Sequence, residues 1–218
     1  MTYATHVGIV SMSRNGLISD AVRTCFHALG CHLHVYPWFH PDLYKIIHYS
    51  NISHWFFTGN TPDLVTDPDA PSIDPRIYSL HNKCMFFVCY SHQLLCLQNG
   101  VPLRDAHKRV DGDYLLIRRY DDRIWRNVDD MEKYMCWYAQ YVHYTEAPPG
   151  WLVLARRGHH IAIMRRGLHY SSQVHPERRP ETYQILRNWL AMMPGIKEPS
   201  LLGEWLSGWS FFAPSEGV

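Results

Sequence analysis

The chain has 218 residues, enough for one ordinary domain and hardly for two. Hydrophobic residues at 46% against charged residues at 19% exclude a disordered chain, which lacks the apolar surface to offset its ordering entropy. Lys and Arg together number 21 against 20 Asp and Glu, so no basic excess argues for nucleic acid as a partner.

The first half alternates two periods. Thr5 to Val10 is a short apolar strand candidate that ends in a polar turn, Ser11 to Gly16. Leu17 to Leu29 carries its apolar residues at helical spacing, and Gly30 follows where a helix-ending glycine belongs. Cys31 to Tyr36 is a second strand, Pro41 to Tyr49 a short helix and His54 to Thr58 a third strand that stops at Gly59. Pro75 to Asn82 reads as a helix. Cys84 to Val88 (CMFFV) is continuously apolar, which suits a strand buried on both faces of a parallel sheet. The pattern turns helical again after Cys89, up to Gly100. Strands separated by helices imply βαβ units and a largely parallel sheet.

The second half differs. Tyr114–Ile117, Ile124–Trp125, Trp151–Ala155, Ile161–Met164 and Leu168–Val174 are short strand candidates joined by polar turns, so hairpins are expected. Pro180 opens a final helix to about Met193, with proline at an early helical position. One domain is expected over residues 1–218, with a core of about 5–193 and an aromatic tail, 194–218, carrying Trp205, Trp209, Phe211 and Phe212. That tail is either a strap on the domain or a contact surface.

Met1 to Val10 lacks a basic region followed by an apolar stretch, and no apolar run reaches the ~20 residues that span a bilayer. Neither a secretory leader nor membrane contact is expected. The cysteines at 25, 31, 84, 89, 96 and 136 include no CxxC pair, which suits neither a disulfide scaffold nor a zinc site and points to a reducing, cytoplasmic setting. His32-x-His34 and His159-His160 are explained by an alternating strand and a hairpin turn. No carboxylate or cysteine completes a metal site beside them, so no metal or other cofactor is expected. The paired arginines 156–157, 165–166 and 178–179 read as solvated turns, with an acidic or phosphorylated partner as the other reading.

Chemistry concentrates at two segments. In Phe86-Phe87-Val88-Cys89-Tyr90-Ser91-His92-Gln93, a cysteine stands where a buried strand turns into a helix. Such an elbow lifts the side chain clear of the sheet, and a helix N-terminus favours thiolate. Open α/β sheets bind ligands at this end of their strands. In Gln173-Val174-His175-Pro176-Glu177, a histidine and a carboxylate follow a strand two residues apart, so both can point to one side of an extended segment. A cysteine nucleophile needs a base, and the base needs a third group to orient it.

With both segments in view, the sequence resembles a class I glutamine amidotransferase. The family's Gly-x-Cys-x-Gly-x-Gln signature is matched by Phe87-Val88-Cys89-Tyr90-Ser91-His92-Gln93, and its Gln-Phe-His-Pro-Glu segment by residues 173–177. Thr58-Gly59-Asn60-Thr61-Pro62 resembles its glycine-rich oxyanion loop, and Tyr90 is similar to the residue found in GMP synthase glutaminases. The general layout also resembles the small anthranilate synthase subunit. The resemblance implies a flavodoxin-like, three-layer α/β sandwich with a mostly parallel sheet and an antiparallel hairpin extension. It implies Cys89 as nucleophile, His175 as general base and Glu177 as its orienting partner. Backbone N–H groups of Gly59 and Tyr90 would form the oxyanion hole, each worth roughly 3 kcal/mol in the transition state. Gln93 would help hold the substrate. The expected reaction cleaves glutamine to glutamate and ammonia through a γ-glutamyl thioester, the ammonia passing to a synthase partner.

Departures from the family pattern keep two other readings open. Phe87 and Ser91 replace the elbow glycines, and the oxyanion loop retains only Gly59. The family's Ser-His-Gly-Asp-like segment is missing around Trp137-Tyr138-Ala139-Gln140. A scaffold protein that binds a partner without catalysis is one alternative, and a γ-glutamyl hydrolase or peptidase with a larger substrate is another. An aromatic ring beside the elbow predicts a pocket narrowed at Phe87 and Tyr138.

Overall fold

The computed structural model describes residues 5–60, 63–102, 104–105, 110–129, 133–138, 142–143 and 146–194. Thr61, Pro62, Ala139, Gln140 and the aromatic tail from residue 195 lie outside these. Strands β1 (Thr5–Ser11), β2 (Cys31–Pro37), β3 (His54–Phe57) and β4 (Cys84–Val88) alternate with α1 (Asp20–Ala28), α2 (Leu43–Tyr49) and, after β4, α3 (Tyr90–Gln98). Eight further strands follow: β5 (Arg104–Asp105), β6 (Val110–Leu115), β7 (Ile117–Arg118), β8 (Lys133–Tyr138), β9 (Val142–His143), β10 (Leu152–Arg157), β11 (His160–Arg166) and β12 (His169–Ser172). The last helix is α4 (Tyr183–Leu190).

The main sheet runs β2-β1-β3-β4-β12-β11-β10-β7. Its first five strands pair in parallel and its last three antiparallel. The parallel order is that of a flavodoxin-like sheet, whose ligand crevice opens where the order reverses, between β1 and β3. Alternation along each strand sends residues to two layers. Val7, Ile9, Phe56, Phe86 and Val88 pack against α1 and α4 through Val22, Phe26, Ile185 and Trp189. Val10, Trp55, Phe57, Met85 and Phe87 pack against α2 and α3 through Ile47, Leu94 and Leu95. The result is the three-layer α/β sandwich expected from the sequence.

Two segments differ from the sequence reading. Ile124–Trp125 is a 3₁₀ turn and not a strand, because the Asp122 carboxylate accepts from the Ile124 N–H at 2.9 Å and turns the chain. Both apolar side chains still reach the core. Pro75–Ser79 likewise forms a 3₁₀ turn, begun by the Asp74 side chain. Strands β6 and β8, paired with each other across a long connection, carry too little alternation to be found as partners by pattern alone.

Two histidines are buried without charge. His92 of α3 binds Ser171 Oγ at 2.8 Å, and His169 lies 2% exposed beside β4. Burial pushes His92 down to about 3; burial, then the Arg166 charge, does the same to His169. The unfolded chain therefore binds protons that the folded chain refuses. This stability is complete above the ordinary histidine pKa and is lost as pH falls toward 3. Between pH 7 and 5 each histidine should cost about 2 kcal/mol. Denaturant unfolding of the parent chain and of His92→Asn at both pH values checks this, and the substituted chain should lose about 2 kcal/mol less than the parent between them.

Candidate active site

The cavity at the C-terminal ends of β1, β3, β4 and β12 measures about 370 Å³. It is lined by the turn after β1 (Ser13, Arg14, Asn15, Leu17), the loop after β3 (Thr58, Gly59, Asn60), and Cys89, His175 and Glu177. Each wall is thus a loop that a parallel strand delivers to the same end of the sheet.

Cys89 follows the last residue of β4 and caps α3 with φ 53° and ψ −105°. A left-handed backbone at a non-glycine residue costs energy and persists only where its surroundings hold it. Here the Cys89 N–H donates to the Ser172 carbonyl at 2.7 Å, and the Gln93 N–H closes the first helical turn on the Cys89 carbonyl at 3.0 Å. Because β12 pairs in parallel with β4, the segment after Ser172 emerges beside Cys89. His175 Nδ1 and Glu177 Oε1 are 2.6 Å apart and both residues are buried. The Cys89 sulfur is a further hydrogen-bond partner of the same imidazole. Burial opposes charge on His175, but the Glu177 carboxylate and then Cys89 outweigh it and raise the imidazole to about 10. The ring thus keeps a proton at neutral pH.

Gly59 stands against both groups. A Cβ at this position would lie 3.1 Å from His175 Cε1 and 3.2 Å from Cys89 Cβ, so a side chain there would push one of the two aside by a few tenths of an ångström. Tyr90 is the first residue of α3, and its hydroxyl is buried on the Pro71 carbonyl at 2.7 Å. Gln93 stands behind the cavity wall. It is buried, its amide donates to Gln173 Oε1 at 3.1 Å, and it is not among the residues that line the cavity.

The two elbow substitutions have distinct outcomes. Ser91 Oγ donates to the Thr58 carbonyl at 2.6 Å and ties the first turn of α3 to the loop that carries Gly59. Phe87 does not narrow the cavity. Its ring is fully buried in the α2–α3 layer, stacked on Phe57 at 4.6 Å, while the left-handed turn at Cys89 breaks the strand's alternation and sends the Cys89 side chain to the other layer. Tyr138 lies in β8, paired with Val110.

Sequence reasoning missed Gln173, whose amide donates toward Cys89 Sγ at 3.7 Å. The available signal was its position two residues before His175 on an extended segment. It also missed the opposite wall, where Arg14 Nε binds Asp63 at 2.7 Å and Asn60 Nδ2 binds the other oxygen of that carboxylate at 2.7 Å. No spacing in the sequence links residue 14 to residue 63.

Comparison with known proteins gives a family match. The profile described as glutamine amidotransferase class-I covers residues 15–193. The chain is 30% identical over 194 residues to a GMP synthase [glutamine-hydrolyzing] of Carboxydothermus hydrogenoformans, covering 86% of this chain and 37% of that protein. It is 33% identical over 141 residues to that of Thermus thermophilus, covering 62% and 27%. The chain therefore spans only 27–37% of the length of these curated relatives. Among solved structures, a putative GMP synthase subunit from Thermoplasma acidophilum superposes with a TM-score of 0.69 at 15% identity, covering 87% of this chain and 94% of that one. A glutamine amidotransferase from Thermotoga maritima superposes with a TM-score of 0.60 at 11% identity, covering 87% and 82%. These two likenesses establish a shared fold.

Proposed function

The chain belongs to the class I glutamine amidotransferase family, and on that footing we propose that it hydrolyses the side-chain amide of glutamine with Cys89, His175 and Glu177. One observation carries the reading: a cysteine held in a left-handed elbow hydrogen-bonds to a buried histidine whose second nitrogen binds a buried carboxylate. The Cys89 sulfur attacks the amide carbon and an S–C bond forms. The oxygen takes the negative charge beside the backbone of Gly59 and Tyr90. His175 gives its proton to the departing nitrogen, the C–N bond breaks and ammonia leaves. Water then attacks the γ-glutamyl thioester and returns a proton to His175, and glutamate departs with the sulfur restored. Glu177 holds the ring in one tautomer. Gln93 acts as a positioning residue through Gln173. The whole of residues 1–218 serves as one amidotransferase domain, and a separate synthase consumes the ammonia.

A cavity of about 370 Å³ falls within the range of small-ligand sites. The Phe87 ring, turned into the core, leaves that volume to the substrate, which favours free glutamine over a larger glutamyl compound.

The test is selective alkylation. Burial alone raises the Cys31 and Cys96 thiols, burial outweighs the Arg123 charge to raise Cys84, and burial first, then the Glu177 charge, raises Cys25. A glutamine-like electrophile at low excess, followed by peptide mapping, should therefore label Cys89 first. Labelling of Cys25 ahead of Cys89 would hand the lead to a non-catalytic scaffold. Gly59→Ala supplies a second check. Its new methyl must push His175 or Cys89 aside by a few tenths of an ångström, where a full 1 Å misplacement would cost ~10²-fold in rate. Ammonia release should fall, by less than about 10²-fold, while the far-UV circular dichroism spectrum is unchanged.

A further inference from the structure

We propose that His6, His32 and His34 form a binding site for a borderline divalent transition-metal ion of the zinc class, at the end of the sheet opposite the cavity. The sequence places only His32 and His34 on one face of a strand. The third ligand comes from the parallel register, in which His6 of β1 pairs with His32 of β2 and Gly8 with His34. His6 therefore faces the pair from the neighbouring strand.

The three rings form a closed cluster, with every pair of centroids 5.1 Å apart. His6 Nδ1 and His34 Nε2 are 2.8 Å apart, and one ligand nitrogen from each ring lies within 4.8 Å of the others. Zinc–imidazole bonds of about 2.0–2.1 Å at tetrahedral angles put ligand nitrogens roughly 3.3 Å apart. Side-chain rotation alone spans the difference between that figure and the observed separations.

The chemistry of the donor set selects the ion. Three neutral imidazoles suit zinc, copper or nickel and suit magnesium or calcium poorly, since those prefer oxygen ligands. Ion binding replaces the proton now shared between His6 and His34. His6 and His32 are exposed and His34 half-buried, so an ion can enter from solvent and a water can complete the fourth position. The backbones beneath them are fixed by the β1–β2 ladder, so the ion would clamp the edge strand β2 to β1.

The test uses the full chain carrying Cys89→Ser, so that the cavity thiol cannot take the ion. After chelator treatment the protein is titrated with zinc chloride by calorimetry, and with cobalt(II) by visible absorption. One ion per chain is expected, with a zinc-dependent rise in Tm and no response to magnesium. His32→Gln/His34→Gln should weaken zinc by more than about 100-fold, beyond the 10–100-fold that losing a supporting partner costs. The exposed His159→Gln should leave binding intact. No zinc heat, or equal zinc affinity in the double variant as judged alongside an unchanged circular dichroism spectrum, would overturn the site.

Discussion

Cys89→Ala should abolish ammonia release from glutamine, with a loss on the order of 10⁶-fold in rate, the scale seen when a triad nucleophile is removed. His175→Ala should cost nearly as much, and the double variant no more than either single one. The reason is geometric: the sulfur and the ring share one hydrogen bond, so neither has a function left once the other is gone. Removing the Cys89 thiol leaves the elbow's backbone anchor in place, since its N–H still reaches the Ser172 carbonyl. The folded state should therefore survive, and steady-state ammonia assays on chains of unchanged circular dichroism isolate the chemical loss. Additive losses in the double variant would mean that the two residues act separately and would refute the triad.

Glu177→Gln should lower the rate by about 10²–10⁴-fold, because the amide can donate its N–H to His175 Nδ1 and hold the ring in the wrong tautomer. This variant also moves the pH profile in a defined direction. The Glu177 carboxylate is the leading group that raises His175 against its burial. With that charge gone, the imidazolium loses its proton at lower pH. The step that needs the proton, departure of ammonia, then fails earlier on the alkaline side. The alkaline limb should shift down from near 10, whereas a purely structural effect would scale the profile without moving it. Rate measurements from pH 6 to about 10 on parent and variant distinguish the two outcomes.

Much of this protein is legible one segment at a time. The apolar run Cys84–Val88 reads as a two-face-buried strand because a strand with helices on both sides has no solvent face to keep polar, and β4 has those bounds. The elbow cysteine and the His-x-Glu segment are legible for a similar reason: each depends on chemistry within a few residues. Ile124–Trp125 misleads because an apolar dipeptide carries no period, and the Asp122 side chain that turns it leaves only a weak trace in sequence.

Most local conformations, the two buried faces and the candidate site segments are therefore legible in the chain alone. They follow from side-chain periodicity and backbone preference, which act over a turn of helix or a pair of strand residues. Which groups meet is a matter of how the elements pack in three dimensions. Parallel pairing of β12 with β4 brings His175 to Cys89. Pairing of β1 with β2 turns two histidines into a cluster of three. The Phe87 ring, which beside the elbow in sequence suggests a blocked pocket, stays in the α2–α3 layer, because the left-handed turn at Cys89 breaks the alternation and parts the two side chains. Register and layer are set by the burial of whole faces against distant elements, and that information is spread along the chain and not held in any single motif.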